Sequence, residues 1–449
     1  MLPREYPAIT CDSRKVTPGC LFIAVKGAND DGNKYVDAAM KAGAAAYVST
    51  DRLGLARIAD EFYGHPSGKL KLVGITGTNG KTTTVTLLYN MMRSLGYECG
   101  LLSTIANYVG SRRTETTNTT SDPITINRLL AEMVDAGCEY CFMEVSSIGV
   151  EQERVAYLEF AVGIFSNLTH DHLDYHGTFA EYLRCKKLFF DNLPASATAI
   201  TNIDDRNGSV MVQNTRANVM TYSCHSAADH TCRIIEESFD GMLLKIDGIE
   251  VWTKLIGAHN AYNLLAIYSA AVALGTPVEE ALIALSKLES APGRLENHRG
   301  PRDLSVIIDY AHTPDAMENV LKTLRDVAPE RELICLFGCG GDRDRTKRPE
   351  MAAVAEKFAD RIFVTSDNSR TERTEDIIED IKKGFTPSGL AKAICISDRR
   401  EAIRTAIMLA PEGATILLAG KGHEDYQILG TEKLHFDERE IVDEVFKTL

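Results

Sequence analysis

Apolar residues along this 449-residue chain fall into short runs that alternate with longer stretches of helical periodicity. Lys71–Thr76 (KLVGIT) is an apolar run of strand length that ends in the glycine-threonine segment TGTNGKTTT, and Val85, Leu88 and Leu95 then recur on one helical face. Strand, glycine loop and amphipathic helix in that order open an α/β domain. CEYCFMEV, FAVGIFSNL and TAITNI read as further buried strands, and 123–136, 178–190 and 260–274 as helices. Ahead of them lie short strands and turns around DSRKVTPGCLFIAVKG, then a helical AAMKAGAAAYV.

A second alternation begins after the break at Pro292-Gly293. Its strands read LSVIIDYA, ELICLFG, DRIFVTSD, AICISD and TILLAGKG, with helix-like segments between them. Such regular alternation predicts a largely parallel sheet covered on both faces. The fold class is therefore α/β, in three domains spanning 1–72, 73–291 and 292–449, without an internal repeat.

Charge narrows the function classes. Lys and Arg number 49 against 63 Asp and Glu, a formal charge of −14, whereas nucleic-acid and membrane-surface binders carry a basic surplus. Neither partner is expected, and an anionic substrate needs a locally basic or amide-lined pocket. No apolar run reaches the ~18 residues of a membrane span, and MLPREYPAIT has no signal-peptide core. Eleven cysteines at uneven spacings suit a reduced, cytoplasmic chain. The one CxxC, Cys138 and Cys141, lies in a strand-like run with no second pair to complete a zinc site, so it reads as core packing.

Thr76-Gly77-Thr78-Asn79-Gly80-Lys81-Thr82-Thr83 carries the strongest chemical signal. Glycines there let backbone N–H groups close around phosphate oxygens at a helix N-terminus. Lys81 is placed to reach the terminal phosphates of ATP and the Thr82 hydroxyl to hold Mg²⁺. Ile75 stands where the strict eight-residue P-loop has its first glycine, so this is a variant loop.

An acidic and histidine-rich set follows: Glu144 at a strand end, then His170, Asp171, His172, Asp174 and His176. Three close histidines suggest zinc, but carboxylates beside a P-loop threonine favour a hard cation with ATP. Each histidine taken alone reads as structural. Lys186 sits in the middle of an apolar helix face marked by positions 179, 182, 183 and 190. Either its stem packs on that face with the ammonium in water, or burial changes its ionisation or its chemistry. Gly257–Asn263 opens a helix at which Asn263 either caps or reads an adenine edge. In the last domain, Gly340–Arg345, Ser366–Arg370 and Gly420–Glu424 follow strand ends, where ligands of parallel sheets bind. Arginines and a glutamate converging there suit a zwitterionic amino acid, although any one arginine also suits a surface ion pair.

As a set, these residues resemble the Mur ligase family of cell-wall enzymes. The resemblance runs through DSRKVTPGCLF, GITGTNGKTTT, NTTSDP, EVSS with QERV, HDHLDYHG, the CKK helix, GAHNAYN, GRLE, DYAHTPDA, FGCGGDRDRTKRPEM, TSDNSR and GKGHEDYQ. It implies a UDP-sugar domain, a central P-loop ATPase domain and a Rossmann-like C-terminal domain. Within the family it points to the members that add the third residue of the peptidoglycan stem peptide. Those activate the D-glutamate carboxylate of the UDP-MurNAc dipeptide with ATP as an acyl phosphate, which the amine of a free amino acid attacks.

By the same resemblance Lys81, Glu144, His172 and Lys186 are catalytic. Lys186 carries CO₂ as a carbamate, and two Mg²⁺ are held by Thr82 and Glu144 and by Glu144 and His172 with the carbamate. Asn263 and Asp309 match residues on adenine and ribose, and Arg294 one near the phosphates. Ser13, Asn118, Thr119 and Thr120 match UDP-sugar positions, as do Ser146, Gln152 and Arg154. Arg343, Asp367, Asn368 and Arg370, with Gly420 and Glu424, match the amino-acid site.

Diaminopimelate-adding members carry Asp-Asn-Pro-Arg in this last site, and lysine-adding ones lack the arginine. Asp367-Asn368-Ser369-Arg370 keeps the arginine and changes the proline, which points to meso-diaminopimelate, with L-lysine as the alternative. The chain departs from the family at Ile148, where a histidine usually follows EVSS, and at Asn33 in place of the histidine of Asp-Gly-His. It is also short after Tyr47–Thr50 and before Ser13. Ile148 and the shortened N-terminal domain motivate the second alternative, a catalytically impaired paralogue that binds nucleotide and UDP-sugar. The expected molecule is a monomer.

Overall fold

The computed structural model describes residues 5–27, 31–116, 118–169 and 173–449, with the backbone alone at 173 and 174. It divides into two compact units, one of residues 1–233, 244–251 and 261–288, the other of residues 234–243, 252–260 and 289–449.

The first unit starts with a small parallel sheet of β1 (Ile9–Thr10), β2 (Leu21–Val25) and β3 (Ala46–Thr50) in that order. Its two faces bury separate small cores, one on Ile9, Ile23, Leu55 and Ile58, the other on Cys20, Phe22 and Ala39. Here the helix expected over AAMKAGAAAYV is corrected. Helix Val36–Lys41 stops short, Gly43 turns the chain at φ 107°, and Ala46–Thr50 pairs with β2 as a strand. Gly43 takes the left-handed conformation that helix interiors exclude, and Tyr47, Val48 and Thr50 favour the pleated surface offered by β2.

The larger sheet of this unit is built on β4 (Lys71–Thr76), flanked by β8 (Tyr140–Glu144) and β9 (Phe160–Phe165), all parallel. β5 (Cys99–Leu102) continues it beyond β8, with the short antiparallel β6 (Asn107–Val109) and β7 (Arg112–Thr114) at the edge. On the other side come β10 (Thr198–Asn202) and β11 (Asn218–Ser223), then β12 (His230–Ser238), β13 (Gly241–Ile246) and β14 (Ile249–Thr253). Helices Lys81–Ser94, Pro123–Asp135 and Phe179–Asp191 cover the sheet and close a core around Leu72, Leu130, Met143 and Phe190. Cys138 and Cys141 are buried in it, as packing side chains.

In the second unit β16 (Ser305–Asp309), β20 (Thr415–Ala419), β17 (Leu333–Phe337), β18 (Arg361–Val364) and β19 (Ala393–Cys395) run parallel, with β15 (Glu296–Arg299) antiparallel at one edge. A hairpin of β21 (Tyr426–Leu429) and β22 (Glu432–His435) follows. One face buries Met317, Leu321, Phe337 and Met351, the other Ile308, Phe363, Ile407 and Val442. The parallel strands β16, β20, β17 and β18 are buried at nearly every position and read as apolar runs in the sequence, whereas β15 and the exposed hairpin carry no such run.

Candidate active site

β4 delivers Thr76 to a loop that ends at Gly80 (φ 87°), the residue before helix Lys81–Ser94. Gly80 offers no capping side chain at the start of that helix, an arrangement that suits an anion there. The loop is held from β9. Asn167 Oδ1 accepts from the Asn79 N–H at 2.8 Å, its carbonyl from the Thr78 N–H at 2.9 Å, and Ser166 Oγ donates to the Asn79 carbonyl at 2.7 Å. A Cβ at Gly77 would stand 1.9 Å from Ser166 Oγ, and one at Gly80 2.5 Å from Asn263 Oδ1. Both glycines are required by this close approach, which also places Asn263, from helix Ala258–Ala273, against the loop.

Lys81 Nζ donates to the carbonyls of Gly77 and Thr78 at 2.9 and 2.8 Å, so its ammonium lies over the loop. Thr82 and Thr83 are buried at the base of the helix. Glu144 ends β8 with 1% exposure, and its Oε1 accepts from the Thr104 N–H at 2.8 Å. Lys186 is likewise 1% exposed; Nζ lies 4.7 Å from the Tyr182 ring centre and donates to the Gly77 carbonyl at 2.8 Å. Of the two sequence readings of Lys186, the one with the head in water is wrong: the apolar face it shares packs into the core and carries the ammonium in with it. His170, Asp171 and His172 lie outside the described residues, as does the Asp174 side chain. His176 is structural, with Nε2 2.9 Å from Ser147 Oγ and its ring against Tyr182. Hard oxygen donors at Thr82 and Glu144 beside an amide cradle fit Mg²⁺ and a nucleotide phosphate chain.

The segment after β8 builds a second polar cluster. Thr120 Oγ1 donates to the Glu144 carbonyl at 2.9 Å and accepts from the Ser146 N–H at 3.0 Å, tying the two predicted sugar segments together. Thr119 Oγ1 accepts from Thr104 Oγ1. Arg154 donates to the Thr120 carbonyl at 2.6 Å and twice to Gln152 Oε1. Asn118, Gln152 and Arg154 line a cavity of about 350 Å³ together with Gly32, Tyr35 and Arg52 from the N-terminal sheet region. Cys11 is on that cavity, whereas Ser13 begins the short helix beside it and is not among its lining residues.

In the second unit four strand ends converge. Asp309 ends β16, and its carboxylate accepts from the N–H groups of Leu295 and Ala311 at 2.7 and 2.8 Å, which fixes the turn carrying Arg294. Burial pushes the Asp309 carboxyl up, against the opposing pull of Arg294. The Arg294 guanidinium lies 4.9 Å from the Tyr310 ring centre. After β18, the Asn368 amide group donates to Glu424 Oε2 at 2.9 Å and its oxygen accepts from the Ile428 N–H. Arg370, left-handed at φ 50°, donates to the Gly341 carbonyl at 2.9 Å. Gly420 follows β20 and brings its N–H to the Asp309 carbonyl. Arg343 is exposed and donates only to the adjoining Asp342 carbonyl among the described residues.

Three groups here escaped the sequence reading. Lys421 is fully buried, with Nζ 3.2 Å from Glu424 Oε2, 3.3 Å from Asn368 Oδ1 and 3.6 Å from Asp367 Oδ1. Burial alone would raise the Asp367 carboxyl, but the Lys421 and Arg399 charges outweigh it and hold it below the usual range. Arg399 pairs with Glu438 at 2.8 Å, both side chains inaccessible, and donates to the Ser366 and Ala419 carbonyls, clamping the ends of β18 and β20. Arg348, also buried, bonds Glu372, Asp380 and the Gly340 carbonyl and so shapes the glycine loop. A lysine between two glycines at a strand end was the available signal for Lys421; nothing local marked Arg399.

The comparisons with known proteins agree with this geometry. Residues 5–63 match the profile described as Mur ligase family, catalytic domain, residues 75–272 the Mur ligase middle domain, and residues 293–422 the Mur ligase, glutamate ligase domain. A UDP-N-acetylmuramoyl-L-alanyl-D-glutamate–2,6-diaminopimelate ligase of Phocaeicola vulgatus is 49% identical over 463 aligned residues, covering 99% of this chain and 95% of its own. The protein of the same description from Parabacteroides distasonis is 49% identical over 460 residues, covering 98% and 94%. A solved structure of a ligase of that description superimposes with a TM-score of 0.72 at 31% identity, covering 99% of this chain and 95% of that one. No helix among the described residues is long and apolar enough to cross a membrane. By three successive domain matches and by identity along nearly its whole length, the chain belongs to the Mur ligase family.

Proposed function

We propose that this chain is the ATP-dependent ligase that joins meso-diaminopimelate to UDP-MurNAc-L-Ala-D-Glu in peptidoglycan synthesis, acting in the cytoplasm as a monomer. One observation carries the reading: ligases of that description are 49% identical over 99% of the chain. The domains are 1–72 for the UDP-sugar, 73–291 for ATP and 292–449 for the amino acid.

The chemistry to be done is attack of one anion on another. A carboxylate approaches the γ-phosphate, and their repulsion must be screened before an acyl phosphate forms. The amide cradle of Gly77–Gly80 and the Lys81 ammonium hold the phosphate chain, with Asn263, Asp309 and Arg294 on the nucleoside and phosphate side. Thr82 and Glu144 would hold one Mg²⁺, and Glu144, His172 and a carbamylated Lys186 a second. When bound, the two ions screen charge between the anions. Lys186 suits the carbamate's role by position, since its nitrogen is buried against the phosphate loop at the Gly77 carbonyl. Asn118, Gln152 and Arg154, with Ser13, Thr119, Thr120 and Ser146, position the UDP-sugar.

Arg370 and Arg343 take the distal carboxylate of diaminopimelate, while Asp367, Asn368, Gly420 and Glu424 take its amino-acid end. The amine then attacks the acyl phosphate, and the tetrahedral intermediate expels phosphate. The deciding experiment measures phosphate release from ATP with UDP-MurNAc-dipeptide and single amino acids added in turn. Release is expected only with the dipeptide and meso-diaminopimelate together. Release with L-lysine instead would make the chain a lysine-adding ligase. No release with any amino acid would make it an impaired paralogue, the reading that Ile148 raises.

A further inference from the structure

The first unit holds another cavity, of about 600 Å³, at the opposite end of β9 from the phosphate loop. Phe160 opens β9 on its wall, whereas the loop is held by the residues after Phe165, so the two sites are separated by the length of the strand, about 17–20 Å. We propose that this cavity is a binding site for a small amphipathic amine, an ammonium head on an apolar body, distinct from the nucleotide and sugar sites.

Three features specify the ligand. One part of the wall is apolar, with the Phe160 and Phe189 rings edge to face at 4.9 Å and Leu188 and Leu193 beside them, and the rest is polar. Its charged lining residues are both acidic, Glu153 and Glu159. The Glu153 carboxylate has no hydrogen bond or ion pair among the described residues, although the side chain is partly buried and the backbone is left-handed at φ 56°. Burial, with Glu151 and Asp51 adding to it, raises this carboxyl, which is the environment an incoming cation relieves. The volume lies within the ~300–1,000 Å³ of ordinary small-molecule sites.

The cavity backs directly onto the sugar pocket. Along one segment Gln152 and Arg154 line the sugar pocket while Glu153 and Val155 line this cavity, and on helix Arg52–Tyr63 the division repeats between Arg52 and Leu53. The two cavities therefore share the backbone that carries Arg154.

Isothermal titration calorimetry on the full chain tests the proposal, with 2-phenylethylamine as probe and 2-phenylethanol as its uncharged counterpart. The amine is expected to bind saturably and about tenfold more tightly than the alcohol. Glu153→Gln should remove that difference, and Ala156→Trp, which fills the cavity without changing its charge, should abolish binding of both. Unchanged thermal midpoints will show that both variants are folded. Equal affinity for amine and alcohol, amine binding that survives both substitutions, or no saturable heat up to the solubility limit of the probe overturns the proposal.

Discussion

The Lys186 ammonium and the Gly77 carbonyl oxygen lie 2.8 Å apart across 109 residues of sequence. That bond joins the helix covering the sheet to the loop that cradles phosphate, inside a site where Glu144 is equally buried. A buried lysine nitrogen bound to a backbone carbonyl is withdrawn from water and held at the wall of the phosphate loop.

Replacing Lys186 with alanine is therefore expected to lower dipeptide-dependent phosphate release by on the order of a hundredfold or more, the scale of losing one electrostatic contact in a site of this kind. Short carboxylates added in solution should restore part of the rate by standing in for the carbamate oxygens. Wild-type turnover in the variant would remove the carbamate from the mechanism.

The buried pair of Arg399 and Glu438 gives a stability prediction. Arg399→Met leaves Glu438 charged and fully inaccessible, at a cost of roughly 3–5 kcal/mol, and frees the Ser366 and Ala419 carbonyls. The double replacement with Glu438→Leu should recover much of that loss, since no uncompensated charge remains. Urea unfolding of the two variants and the wild type measures both effects; equal losses in single and double variants would contradict them.

Glu296, which opens β15 two residues after Arg294, should contribute to acid sensitivity. Burial alone would raise its carboxyl, but hydrogen bonds from His298, Arg439 and the Gly293 N–H outweigh it and bring it from 4.5 down to about 2. A depressed folded value means the stabilisation is complete above pH 4.5 and is lost as pH falls towards 2, on the order of 3 kcal/mol in all. Comparing wild type with Glu296→Gln by denaturant unfolding, the gap should be widest near neutral pH and shrink through that window. A constant gap would refute the assignment.

What was legible in the sequence follows from burial. β4, β8, β9 and the parallel strands of the second unit are covered on both faces and so appear as apolar runs. β12 escaped notice because most of its residues are at least partly exposed, leaving no apolar signature. The segment Ala46–Thr50 misled because the alanines leading into it, Ala42, Ala44 and Ala45, favour a helix, while the decisive partner, β2, lies more than twenty residues earlier.

The sequence by itself determined the doubly covered strands, the phosphate loop and the family, since strand, glycine and helix N-terminus are adjacent in the chain and their chemistry is local. It also placed the candidate ligands of the second unit at strand ends. Tertiary structure alone decided which of them meet. It buried Lys186 against Gly77 instead of leaving it in water, and brought Lys421 between Asp367, Asn368 and Glu424. It also closed Arg399 on Glu438, 39 residues away. Those arrangements depend on desolvation and on partners distant in sequence, and neither is encoded in the neighbours of any one residue.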